Sequence, residues 1–184
     1  MPDPPVYQAT TGATAYAGID RLPVIVLLEG IRSLYNVGSF FRTADAVRVQ
    51  QILLAGITAG SDDPRIAKTA LGAEQSVPSQ RCADAATALV TLRSRGYQLA
   101  AVETSLCAID LFDWQPAFPV CLVFGHEVDG VTQSVLECCD VHVRIPTLGM
   151  KQSLNVATAG GVVLYELLRK YRRMLSPAGL PSSG

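Results

Sequence analysis

RIPTLGMKQSLNVATAGG, residues 144–161, joins the end of an apolar run to the start of a long helical pattern. The run DVHVRIP (140–146) is rich in β-branched residues and stops at a proline, the mark of a strand end. A glycine-containing loop follows, and LNVATAGGVVLYELLRKYRR (154–173) then carries apolar residues at helical spacing. Ser153 and Asn155 stand at the helix opening, where unpaired backbone N–H groups favour partial negative charge. Ser153 is the N-cap candidate. Gly160 and Gly161 lie inside the helix, each at a cost of about 1 kcal/mol against alanine. Close packing is therefore expected there, by another helix or by a partner subunit.

The same alternation extends toward the N-terminus. PVIVLLEG (23–30), QILLAG (51–56), YQLAAVE (97–103) and PVCLVFG (119–125) are further buried-strand candidates. Val37, Phe40, Phe41, Ala44 and Val47 form a helical stripe over 36–48, with Asn36 as its cap. DAATALVTLRSRG (84–96) opens on an aspartate and closes on a glycine, and VTQSVLECC (131–139) is another helical candidate. Strands alternating with helices predict an α/β fold, a mostly parallel sheet with helices on both faces. Ligands of such sheets bind beyond the carboxyl ends of the strands.

Two more segments stand at those ends. In NVGSFFRTAD (36–45), Asn36 can fix the loop, Gly38 admits a close backbone approach, and Arg42 offers a planar fork suited to phosphate. The plainer alternative is a capped amphipathic helix with one solvated arginine. In LVFGHEVDGV (122–131), Gly125 and Gly130 suit a backbone wrapped around a small molecule. Glu127 either pairs with an arginine or substrate, or is a surface charge; His126 is a general base or a bystander.

Bulk properties bound the rest. The chain has 184 residues, 49% hydrophobic and 17% charged, which fits one globular domain over 19–175. Residues 1–18 read as a flexible leader without a signal-peptide pattern, and 176–184 as a flexible tail. No apolar run reaches the roughly 18 residues of a membrane span. Five cysteines form no C-x-x-C pair, and their odd number favours a reducing, cytoplasmic setting over a disulfide framework. Cys138 and Cys139 with His142 lack a fourth ligand, so no metal is expected. The net charge of −1 gives no overall basic footprint, but from Lys151 onward five bases face one acid.

Taken in order, the blocks resemble the SpoU (TrmH-like) branch of the SPOUT RNA methyltransferases. They are N-x-G-x-x-x-R-x-A at Asn36, Gly38, Arg42 and Ala44; F-G-x-E-x-x-G at Phe124, Gly125, Glu127 and Gly130; and I-P with G-x-x-x-S-L-N at Ile145, Pro146, Gly149, Ser153, Leu154 and Asn155. TALGAEQSVP (69–78) is also similar, and the likeness covers about residues 23–173. Two positions depart from the pattern: Ala46-Val47-Arg48 replaces a frequent aromatic-Gly pair, and Thr147 a frequent methionine.

The resemblance implies a C-terminal trefoil knot around 119–160 that holds S-adenosylmethionine at Glu103, Thr104, Gly125, Ile145 and Leu154. It implies a homodimer, with Arg42 reaching the other subunit's cofactor, and methylation of a ribose 2′-hydroxyl of RNA; the short chain without appended domains favours tRNA ahead of rRNA. Arg42 would grip phosphate and polarise the hydroxyl, since a guanidinium with a pKa above about 12 is a poor base. Ser153 and Asn155 would orient ribose and loop, and Glu127 would brace Arg42 or Asn36. RNA capture would fall to Arg32, Arg65, Lys68, Lys151 and the cluster at 169–173. One rival is a knotted RNA-binding module that has lost catalysis. Another, a nicotinamide-dependent oxidoreductase, would need G-x-G-x-x-G after the first strand, which LLEGIRSLYNVG lacks.

Overall fold

The computed structural model describes residues 18–176. Its strands are β1 (Leu22–Glu29), β2 (Val49–Ala55), β3 (Ser79–Cys82), β4 (Gln98–Val102), β5 (Ile109–Asp110), β6 (Val120–Phe124) and β7 (Val141–Arg144). Its helices are α1 (Leu34–Val47), α2 (Pro64–Ala70), α3 (Ala73–Ser76), α4 (Ala85–Ser94), α5 (Gln133–Leu136) and α6 (Val156–Leu175). The strands form one sheet in the order β3-β2-β1-β6-β4-β7-β5, and every pairing is parallel.

A parallel sheet buries both faces, and β1 shows how one strand serves both. Val24, Val26 and Leu28 join the core beneath α1 and α6, while Ile25 and Leu27 join the core beneath α4. The continuous apolar run of β1 thus feeds two cores at period two. The α/β class, parallel sheet and two helical layers stand as expected.

Several local expectations are corrected. Asn36 is not the cap of its helix: Ser33 is, its hydroxyl accepting from the Asn36 N–H, so α1 begins earlier. Ser153 is not the cap of α6: the Asn155 carboxamide oxygen accepts from the N–H groups of Ala157 (3.0 Å) and Thr158 (3.2 Å). The helix expected over 131–139 is the single turn α5. The paired glycines separate in role. A Cβ on Gly160 would run into the Phe40 ring of α1, whereas one on Gly161 would meet nothing. The close neighbour of Gly160 therefore belongs to this chain. Nearly all of the expected leader and tail lies outside the described residues.

Candidate functional site

Three strand ends build one cleft. Beyond β4 stand Glu103 and Thr104, beyond β6 the turn Gly125–Val131, and beyond β7 the loop from Ile145 to Asn155 that leads into α6. Together they line a cleft of about 490 Å³, a volume suited to a small molecule. Glu103, Thr104, Gly125, Ile145 and Leu154 all line it, as do Glu127, Ser153 and Asn155.

The turn after β6 is closed by reciprocal 3.0 Å backbone bonds between His126 and Gly130. Gly130 takes a left-handed φ of +71°, which favours glycine, and a Cβ there would strike the Glu103 carboxylate. That carboxylate spans the cleft wall, accepting from the N–H of Thr104 (2.8 Å) and of Val131 (3.2 Å). Strand end and turn are thereby locked to one another.

Glu127 makes the second connection. Its carboxylate accepts from the Asn36 amide (3.0 Å), the Ser33 N–H (3.0 Å) and the Arg32 N–H (3.2 Å). Asn36 in turn accepts from the Asn155 amide at 3.1 Å. Burial alone pushes the Glu127 carboxyl up, but the hydrogen bonds from Asn36, Ser33 and Arg32 outweigh it and leave the group below its ordinary value. Two segments that lie 91 and 119 residues along the chain from Asn36 thus meet it in one polar network, with Asn36 at its buried centre.

Arg42 is elsewhere. It projects from the exposed side of α1, the side that carries Tyr35, and it does not line the cleft. Of the two partners anticipated for Glu127, the structure provides Asn36 and not Arg42. Arg42 makes no hydrogen bond or ion pair with the described residues, which leaves its guanidinium directed outward.

The basic residues divide similarly. Arg32, Lys68 and Lys151 are exposed. Arg65 is exposed but clasped by Asp63 at 2.7 and 3.0 Å, and that pairing pulls the Asp63 carboxyl down to about 2. The 169–173 cluster is not the uniform cationic patch anticipated. Lys170 is buried, its ammonium donating to the carbonyls of Leu111, Phe112 and Trp114, and Arg169 is engaged by Glu166. A buried cation is stable only with such partners, so Lys170 closes the fold instead of meeting a polyanion.

Sequence reasoning missed Arg144, Thr147 and Gln152, which line this cleft and an adjoining one of about 420 Å³. Their signal was position alone, inside the 144–155 loop. Among the described residues no group of three or more His, Cys, Asp or Glu is placed to hold a metal ion, and no helix is long and apolar enough to cross a membrane.

Comparison with known proteins points in one direction. The model of the SpoU rRNA Methylase family matches residues 23–165. A protein of Staphylococcus saprophyticus, whose name places it in the TrmH family of tRNA/rRNA methyltransferases, is 31% identical over 82% of this chain. The chain spans about 60% of the length of the curated relatives it matches. The SpoU methyltransferase AviRb of Streptomyces viridochromogenes, solved in complex with AdoMet, superposes with a TM-score of 0.77 at 27% identity, covering 85% of this chain and 63% of AviRb. A structure concerned with 2-OH methylation of C/U34 on tRNA gives a TM-score of 0.72 at 26% identity, covering 82% of this chain and 97% of its own.

Proposed function

The chain belongs to the SpoU rRNA methylase family, and from that premise we propose that it transfers a methyl group from S-adenosylmethionine to a ribose 2′-hydroxyl of RNA, tRNA ahead of rRNA. The single observation that carries the proposal is the convergence of Asn36, Glu127 and Asn155, through hydrogen bonds, beside one cleft beyond the strand ends. The donor is supported by AviRb, solved with AdoMet, and the ribose of tRNA by the relative concerned with 2-OH methylation on tRNA.

The cleft fits the donor on structural grounds. Gly125 faces the Gly130–Val131 backbone with no room for a Cβ, so the turn lies tight along the wall. The Glu103 carboxylate offers negative charge toward a cation, and Ile145 and Leu154 offer apolar surface. We place the trefoil knot in this region, around 119–160. When bound, S-adenosylmethionine supplies an already activated methyl on a sulfonium.

The chain's own residues then do three things. Glu103 and the Gly125–Val131 turn fix the cleft wall. The Glu127–Asn36–Asn155 network holds the α1 and α6 openings in register, positioning without touching the reacting atoms. Arg42 grips a phosphate and polarises the ribose hydroxyl, whose proton leaves to a phosphate oxygen or water. Ser153, exposed on the rim, orients the ribose. Because Arg42 is exposed and does not line its own cleft, its proposed target is the cleft of a second copy, and the working unit is a homodimer. The exposed Tyr35 of α1 and the exposed Val162 and Tyr165 of α6, the helix on which Gly161 has open space, supply apolar contact for that copy. Arg32, Arg65, Lys68 and Lys151 would meet the RNA backbone, the Asp63–Arg65 pair opening as phosphate takes over the guanidinium. The odd number of cysteines supports a reducing, cytoplasmic setting.

The test is transfer of labelled methyl from S-adenosylmethionine to total RNA, followed by digestion to nucleosides. The expected product is a 2′-O-methylnucleoside from the tRNA fraction, with the rate falling about a hundredfold or more in Arg42→Ala. Label on a base, or an unchanged Arg42→Ala rate, contradicts the proposal. A chain that binds donor and RNA yet transfers nothing would be the RNA-binding module instead.

A further inference from the structure

Outside the network described above, the fold assembles a second cluster of reactive side chains. Ser105 and Cys107 follow directly on Glu103 and Thr104 at the end of β4, and His142 stands on β7, which pairs with β4. His142 Nδ1 lies 2.9 Å from Ser105 Oγ and 3.5 Å from Cys107 Sγ, and the two nucleophilic atoms are 3.4 Å apart. On its other side, His142 Nε2 lies 3.4 Å from the Leu136 carbonyl. A carbonyl accepts only, so Nε2 carries the ring proton and Nδ1 presents its lone pair to the hydroxyl and the thiol. A nucleophile, a base within reach and a third group orienting the base make the general arrangement for activating a thiol.

We propose that Cys107 is a modification site, a thiol that His142 activates toward peroxides and whose oxidation displaces Thr104 on the wall of the donor cleft. In the reaction the Cys107 proton passes to His142 Nδ1 and the sulfur attacks one peroxide oxygen. An S–O bond forms and the O–O bond breaks. Sulfur is oxidised by two electrons, and hydrogen peroxide is reduced, leaving as water once the displaced hydroxide takes the proton from His142. The thiol becomes a sulfenic acid.

The other thiols lack this setting. Burial pushes the Cys121 thiol far up, the Cys139 thiol to about 12 and the Cys82 thiol upward, and Cys138 is only half-exposed. Cys107 is the exposed cysteine among the described residues. Its oxidation adds an oxygen that competes with Ser105 for His142 Nδ1. Ser105 then loses its anchor, and Thr104, which lines both clefts, moves with it.

The test treats the full chain with hydrogen peroxide and a sulfenic-acid trap, then maps the label by peptide mass. Cys107 is expected to react about tenfold or more faster than Cys82 or Cys138. His142→Gln should remove most of that advantage, whereas Ser105→Ala, which clears the competitor from Nδ1, should retain or raise it. Equal labelling of all accessible thiols, or a His142→Gln rate equal to wild type, overturns the proposal. The effect on the cleft rests on the donor-binding reading and is measured separately, as S-adenosylmethionine affinity before and after oxidation in wild type and Cys107→Ser. Weakened binding in wild type alone supports that displacement. Binding that is unaltered by oxidation overturns it, and reduced protein that does not bind at all counts against the donor reading instead.

Discussion

Asn36 donates to Glu127 and accepts from Asn155, so one carboxamide fixes the relative positions of α1, the turn after β6 and the start of α6. A carboxamide is the group for this task because it donates and accepts at once. Replacing Glu127 leaves the Asn36 amide and two backbone N–H groups without their acceptor, at about 1–3 kcal/mol for each that stays dry. The same carboxylate predicts a pH response. Its pKa is lowered in the folded chain, so its contribution is complete above the ordinary value of 4.5 and is lost as pH falls below it. Urea unfolding followed from neutral pH into that acidic range should therefore show a steeper loss of stability for wild type than for Glu127→Gln. Parallel loss in the two proteins would mean that the carboxylate is not held as described.

At the scale of elements, the α1–α6 contact predicts opposite outcomes for two neighbouring glycines. Gly160→Ala forces a methyl against Phe40, an overpacking cost of about 1–3 kcal/mol set against about 1 kcal/mol of helix propensity regained. Gly161→Ala has open space and keeps only the gain. Thermal unfolding should show a lower midpoint for the first and a higher one for the second; equal shifts would contradict the packing.

The same helices show how far sequence reasoning reaches. β1, β2, β4, β6 and β7 were legible because strands covered on one or both faces need apolar runs. β3 (SQRC) and β5 (ID) are short edge strands paired on one side, so nothing in them had to be apolar. The capping errors arose because Ser33 and Asn155 compete with equally suitable neighbours, and only the hydrogen bonds decide between them. Arg42 was legible as a residue type and its outward direction was not, because the helical stripe shows which residues are buried but leaves open where an exposed one points. The Ser105–Cys107–His142 cluster escaped notice because β4 and β7 are adjacent in the sheet and far apart in the chain.

At the scale of the molecule, the cleft is built from three strand ends and bridged by Glu103, and the arginine of the first motif lies outside it. On the proposed reading, binding and transfer should therefore separate: the cleft belongs to one chain, and the proposed grip of Arg42 on RNA belongs to a second copy. The bulk charge of −1 is compatible with this division, since the cations proposed to meet RNA, Arg32, Arg65, Lys68 and Lys151, are few. The most direct test of the central claim is calorimetric titration of the reduced full chain with S-adenosylmethionine. The account predicts saturable binding of one donor per chain, retained in Arg42→Ala; a correctly folded protein that takes up no donor would contradict it.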